Sequence, residues 1–342
     1  MSAVDLGMER SPKVEEDREE PILTIQDLCV EYMTDRGPAR AVDHVSLALA
    51  SGEVMGLAGE SGCGKSTLAH SIMRLIKEPG RITGGSITFR GSDVLSMSQS
   101  QLREFRWRKV ALVSQSAMNA LNPVISIGAQ MTDSLMAHER VSHRQARERA
   151  EELFDLVGID HRRLKSFAHQ LSGGMRQRAM IAMALTLNPE VLIMDEPTTA
   201  LDVVVQRDIL QQIEDLQLRF GFAVLFITHD LSLLVEISDR LGVMYAGTLV
   251  ELAPAAELLD HPLHPYTRGL MNSFPSIEGP KTRLEGIPGS PPDLVTPPTG
   301  CRFHPRCPEC LQTKVELFRL QTTVHPDLRE VSKGHFVACH LY

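Results

Sequence analysis

The chain has no run of roughly 18 apolar residues, the length a membrane-crossing helix needs. Its opening stretch, MSAVDLGMERSPKVEEDREE, also lacks the basic segment and apolar core of an export signal. Together these absences lead to the expectation of a cytosolic protein that does not itself cross a membrane. Positive charge is not in excess either: 35 Lys and Arg stand against 43 Asp and Glu, a net charge of -8. General nucleic-acid binding depends on a basic footprint, so that class is disfavoured. Cysteine is sparse, with six in 342 residues. In a reducing compartment, spaced cysteines favour metal binding or catalysis over a disulfide framework.

A hydrophobic content of 43% is enough for a buried core. Residues 1–21 are rich in acids (Glu15, Glu16, Asp17, Glu19, Glu20) and poor in apolar side chains, which predicts a disordered, solvated tail. Beyond it, short continuous apolar runs alternate with helix-like segments: VMGLAG (54–59), VALVSQ (110–115), VLIMDE (191–196) and AVLFITHD (223–230). Runs of that kind suit parallel strands covered on both faces, and a doubly wound α/β core follows. Between the second and third runs, about residues 116–187 read as a helical subdomain, with Ala146, Ala150, Leu153 and Val157 at helical spacing. From 251 the texture changes, because twelve of the twenty prolines fall between 252 and 308. Proline at that density opposes long helices and central strands, so residues 22–250 are taken as the core domain and 251–342 as an irregular extension.

The segment GESGCGKST (59–67) fits G-x-x-x-x-G-K-[ST] and follows an apolar strand. Its glycines let the backbone curl with N–H groups aimed at phosphates, Lys65 adds a point charge, and Ser66 is placed to ligate Mg²⁺. Behind it, Leu68, Ile72, Leu75 and Ile76 predict an amphipathic helix. The run VLIMDEP ends in two carboxylates: Asp195 for the Mg²⁺ shell, and Glu196 to orient or deprotonate the attacking water. His229 stands at the end of the last apolar run, at the strand edge where open α/β sheets bind ligands.

With LSGGMRQR (171–178) ahead of the Asp195 strand, the chain resembles the ATP-binding cassette (ABC) ATPases. The resemblance implies a P-loop ATPase core with an inserted helical subdomain and a small N-terminal antiparallel β portion. It implies ATP at Gly59, Ser61, Gly62, Cys63, Gly64, Lys65, Ser66 and Thr67, with Tyr32 stacking on adenine and Mg²⁺ held by Ser66, Gln115 and Asp195. Gln115 then matches the Q-loop glutamine, Asp202 in TALD (199–202) the D-loop acid, and His229 the switch histidine. Ser172, Gly173, Gly174 and Gln177 act in trans, on ATP bound to a second subunit. LLDHPLHPYTRGLM (258–271), IPGSPPDL (287–294) and GCRFHPRCP (300–308) resemble the C-terminal extension of dipeptide and oligopeptide importer ATPases. Met175 after SGG resembles the D-subunit type, which implies a heterodimer with a second ATPase. Two membrane permeases, an external solute-binding protein and a place on the cytoplasmic face of the membrane are implied as well. Nickel and other small-solute importers share this architecture. Soluble cassette proteins of DNA repair carry long coiled-coil insertions, whereas Lys65 and Ser172 are only 107 positions apart.

Cys301, Cys307, Cys310 and Cys339 are spaced C-x5-C-x2-C-x28-C. Four thiolates suit Zn²⁺ or a [4Fe–4S] cluster, His304 and His340 allow a mixed zinc site, and reduced thiols without metal are the third alternative. Some importer ATPases of this kind carry an iron–sulfur site here, although Cys310 follows Cys307 more closely than in their pattern. A zinc-ribbon nucleic-acid binder fits poorly, because residues 301–342 hold six Lys and Arg against four Asp and Glu.

Overall fold

The structure, a computed structural model of the 342-residue chain, describes residues 20–114, 120–198, 201–273, 286–310 and 315–342. The acidic tail, apart from its last residues, lies outside them.

Strands β1 (Leu23–Thr34) and β2 (Gly37–Leu49) pair antiparallel, and the chain then runs through β3 (Val54–Ala58), the helix Lys65–Ile72, β4 (Gly80–Phe89) and β5 (Ser92–Asp93). The first sheet has order β2-β1-β4-β5 and is antiparallel throughout. Its inward side chains, Ile25, Leu28, Val30, Val42, Val45 and Ile87, are buried over the P-loop helix residues Leu68 and Ile72.

The second sheet holds β3 together with β6 (Val110–Val113), β7 (Val191–Asp195), β8 (Ala223–Ile227), β9 (Arg240–Tyr245), β10 (Thr248–Pro254), β11 (Arg329–Ser332) and β12 (His335–Val337). Its order is β11-β12-β10-β9-β3-β8-β7-β6. The four apolar runs become β3, β6, β7 and β8, which together with β9 form a parallel block. Every residue of β3, β7 and β8 is buried. Alternation explains why: Leu192, Met194, Val224 and Phe226 face one core, while Val191, Ile193, Leu225 and Ile227 face the other. The region between β6 and β7 is helical, with Ile127–His138, His143–Leu156 and Gly173–Ala184; Ala146, Ala150 and Leu153 are buried in it.

Two expectations need correction. The P-loop helix stops at Ile72, because Arg74 takes a left-handed conformation (φ 48°). Arg74 N–H donates to Ser71 O at 2.9 Å and Leu75 N–H to His70 O at 2.8 Å, the paired bonds of a Schellman cap with arginine in the usual glycine place. The extension is also more regular than its prolines imply: β12 pairs with β10, β11 pairs with β12, and Val315–Thr323 is helical. Buried Glu251 anchors the extension. Its carboxylate accepts the N–H groups of Leu263 (2.7 Å) and His264 (2.9 Å) and lies 2.8 Å from His335 Nε2.

Candidate functional site

The loop after β3 closes on a cavity of about 150 Å³ lined by Ala41, Ser61, Gly62, Gly64, Lys65, Ser66, Thr67 and Glu196. Two glycines make the curl. Gly59 (φ 148°) and Gly64 (φ 110°) lie in backbone space closed to side chains, and a Cβ would stand 2.2 Å from Met244 O at the first and 2.1 Å from Ala41 O at the second. Gly64 caps the helix Lys65–Ile72, so the cavity sits where unpaired N–H groups and the helix dipole favour an anion.

Lys65 is buried, its Nζ donating to Gly59 O (2.6 Å) and Glu60 O (3.0 Å). Ser66 Oγ donates to Asp195 Oδ1 at 3.0 Å, which brings the two expected Mg²⁺ ligands together across β3 and β7. Burial pushes the Asp195 carboxyl up, opposed by the Ser66 hydrogen bond and by the nearby His70 ring. A bound cation would replace the missing hydration and hold it ionised.

Glu196 follows at the end of β7 with φ 47°, a left-handed backbone on a residue that is not glycine. Its N–H donates to Ile227 O at 2.8 Å, which fixes this sparsely populated conformation. His229 Nδ1 lies 3.5 Å from Glu196 Oε1. A carboxylate thus lines the phosphate cavity with a histidine within reach of it, an arrangement chemically able to bind and polarise a water.

Other expected residues lie elsewhere. Ser172 caps the helix Gly173–Ala184, its Oγ accepting the Met175 N–H at 3.3 Å, and neither it nor Gly173 and Gly174 lines this chain's own phosphate cavity. Gln177 is buried with Nε2 unpartnered. Asp202 caps the helix Val203–Phe220 through the Val205 N–H at 3.0 Å. Tyr32, half-buried on β1, pairs with Ala39, two positions from Ala41 in the cavity wall. Cys63 is buried below the loop. Gln115 and the first two residues of TALD lie outside the described residues.

The four cysteines of the extension meet. Cys301, Cys307, Cys310 and Cys339 line one small cavity with His264, His304 and His340. Burial, reinforced by the neighbouring Cys339 and Cys307, pushes the Cys301 thiol up to about 12, and burial pushes Cys339 up to about 11. A larger cavity of about 1050 Å³ lies between the first sheet and the extension, away from the phosphate loop. Asp43 and His44 in its wall form, with Cys29, the one group of three or more metal-ligating side chains among the described residues whose donor atoms all lie within 4.8 Å of one another.

Sequence reasoning missed three contributors. Ala41 supplies a wall of the cavity. Tyr266 and Arg306 hold Glu60 from behind the loop. All three come from distant segments, and no local spacing announces them.

Residues 42–199 match the ABC transporter family, and residues 250–313 match the oligopeptide/dipeptide transporter C-terminal region. A probable peptide ABC transporter ATP-binding protein of Sinorhizobium fredii is 44% identical over 98% of this chain and 97% of its own length. The chain belongs to the ABC transporter ATPases. An oligopeptide transport ATP-binding protein of Bacillus subtilis is 41% identical, covering 92% of this ABC ATPase and 87% of its own chain. Among solved structures, a dimeric ATP-binding cassette in a post-hydrolysis state with ADP and phosphate aligns with a TM-score of 0.62 at 27% identity, over 68% of this chain and 98% of that one. The mixed α/β cassette fold and ATP hydrolysis with Mg²⁺ are thus shared with the family. No helix among the described residues is long and apolar enough to cross a membrane.

Proposed function

We propose that this chain is the ATP-hydrolysing subunit of a peptide importer, coupling ATP binding and hydrolysis to uptake through membrane permease subunits. The observation that carries the reading is that Lys65, Ser66 and Glu196 line one phosphate cavity, with Asp195 bonded to Ser66 and His229 beside Glu196, in a chain whose extension matches the oligopeptide/dipeptide transporter C-terminal region. ATP bound with Mg²⁺ lies along residues 59–67, with Ser66, Asp195 and Gln115 on the metal and Tyr32 against the base. Glu196 activates the water and His229 orients it. Ser172, Gly173, Gly174 and Gln177 close the site of a second ATPase, and Asp202 borders the interface. The placement of Ser172 outside this chain's own cavity supports action in trans.

The partners in this reading are an unlike ATPase, two permeases and an external solute-binding protein, with the chain held at the cytoplasmic membrane face. The experiment is peptide uptake by cells lacking the chain. Restoration by the wild type and none by Glu196→Gln is expected; restored nickel uptake with no effect on peptides would select the small-solute alternative.

The extension also suits a [4Fe–4S] cluster on Cys301, Cys307, Cys310 and Cys339. Their shared cavity and the unpartnered buried Nε2 of His264 on its wall support a group bound there. Tetrahedral zinc draws sulfurs to about 3.8 Å apart, given Zn–S bonds of about 2.3 Å, and these four are spread more widely than that. Such a cluster would supply a redox-sensitive cross-link between the segment after β12 and the 301–310 turn. Iron and acid-labile sulfide near four each in anaerobically purified protein, lost in Cys310→Ser, is the expected result. Stoichiometric zinc, or no metal with full ATPase activity, would overturn it.

A further inference from the structure

Glu60, the first variable residue of the phosphate loop, is gripped from outside the cassette. Its backbone N–H donates to Tyr266 Oη at 2.9 Å. Both its carboxylate oxygens accept from Arg306, Nη1 at 2.7 Å and Nη2 at 2.9 Å, a bidentate pair. The Glu60 carbonyl in turn accepts from Lys65 Nζ at 3.0 Å. One residue thus connects the extension to the lysine that faces the phosphates.

The gripping residues are themselves fixed. Arg306 donates through Nε to Pro288 O at 2.7 Å and through Nη1 to Tyr245 Oη at 3.2 Å, and its guanidinium lies 5.7 Å from the Tyr245 ring centroid. Its side chain is only 6% exposed. Tyr266 is fully buried, with its ring 4.6 Å from Tyr245 and 5.4 Å from Phe303. Burial and this packing leave each side chain one orientation, so the hydrogen bonds to Glu60 are made by groups already immobilised.

We propose that Arg306 and Tyr266 are positioning residues for ATP binding: the C-terminal extension holds the phosphate loop in its nucleotide-ready curl through Glu60. Two physical effects combine. A loop whose glycines adopt positive φ loses conformational freedom when it closes on phosphate, and a loop held beforehand loses less. Arg306 also neutralises a carboxylate that would otherwise stand beside the nucleotide's negative charge, and draws it away from the cavity. Lysine could offset the charge but not the fork geometry, so Arg306→Lys should recover only part of the function.

The test is a double-mutant cycle on full-length protein, reading mant-ATP affinity by fluorescence together with the thermal midpoint of each variant. Arg306→Met should weaken affinity about tenfold, the order expected for one lost charge-assisted hydrogen-bonded pair. Arg306→Lys should fall between, and Tyr266→Phe should weaken it by a few-fold. In a Glu60→Gln background, Arg306→Met should add less than it does alone, because the charge and one of the two acceptors are already gone. Glu60→Gln leaves the aromatic packing of the extension intact and keeps the test readable if Arg306→Met folds poorly. Wild-type affinity in folded Arg306→Met, or full additivity of the two substitutions, would overturn the proposal. A lowered melting point with unchanged affinity would reduce the pair to a structural brace and overturn it equally.

Discussion

Residues 59–67 bring the phosphate donors together within nine consecutive positions, whereas the cysteines of the extension come from 301–310 and from 339. The latter meet because β12 pairs with β10 and carries the C-terminus back toward Cys301. In the first region the backbone itself is the ligand surface, and the sequence must specify little more than glycines, a lysine and a strand before them. In the second, side chains are brought to one small cavity, and their proximity depends on the whole sheet edge. A loop site needs few contacts beyond its own segment, while side chains gathered by tertiary packing depend on a few anchors such as Glu251.

Glu196→Gln breaks the comparison on the nucleotide side and carries the largest expected effect. It leaves the cavity walls and removes the base, so turnover should fall about 10²-fold or more while ATP binding persists. Steady-state hydrolysis with the partner ATPase present, alongside nucleotide binding, checks this; near-normal turnover would show that Glu196 is not the base. Glu251→Ala breaks the other side. It leaves two N–H donors and His335 buried without their acceptor, at a cost of about 3 kcal/mol by analogy with broken buried pairs. Urea unfolding should shift by that amount, and limited proteolysis should release the extension first. Uniform destabilisation with no earlier release would mean that the two regions unfold as one.

How much of this could be read beforehand follows the same divide. The apolar runs at 54, 110, 191 and 223 became four strands of the parallel block, because a strand buried on both faces must be continuously apolar. The phosphate loop and the acidic pair at 195 and 196 were legible because their spacing is their geometry. β9 and β10 were not read, since the glycine of RLGVMY and the glutamate of TLVELAP interrupt the apolar run. Glu251 resembles a solvated acid until the N–H groups of Leu263 and His264 are seen to converge on it. Arg306 reads as a surface charge in a proline-rich tail, and only the fold reveals it to be buried against Glu60. The prolines themselves misled: among the described residues Pro254 ends β10 and Pro265 opens the helix Pro265–Asn272, places where a missing N–H costs little, and the short strands beyond them are free to pair.

Lys65→Ala should be milder than the Glu196 change in turnover terms but should act on binding. Losing one charge-assisted contact to phosphate is worth about 1.5–3 kcal/mol, roughly a 10- to 100-fold weaker ATP affinity. Equilibrium titration of the purified chain checks it, and unchanged affinity would place the nucleotide elsewhere.

The smallest effect sharpens the comparison most finely, because Asp202 carries a local role and a proposed remote one at once. As the cap of Val203–Phe220 it accepts the Val205 N–H at 3.0 Å, a bond that asparagine can also make and alanine cannot. Asp202→Ala should therefore cost about 1 kcal/mol of stability and Asp202→Asn only a few tenths. Turnover separates the second role. If Asp202→Asn keeps both stability and hydrolysis, the residue is a helix cap and the site resembles the phosphate loop in being built locally. If it keeps stability but loses hydrolysis, the carboxylate's charge acts at the surface where a second cassette docks. In that case part of the nucleotide site is gathered from afar, like the cysteines, and the contrast between the two regions narrows to the phosphate loop alone.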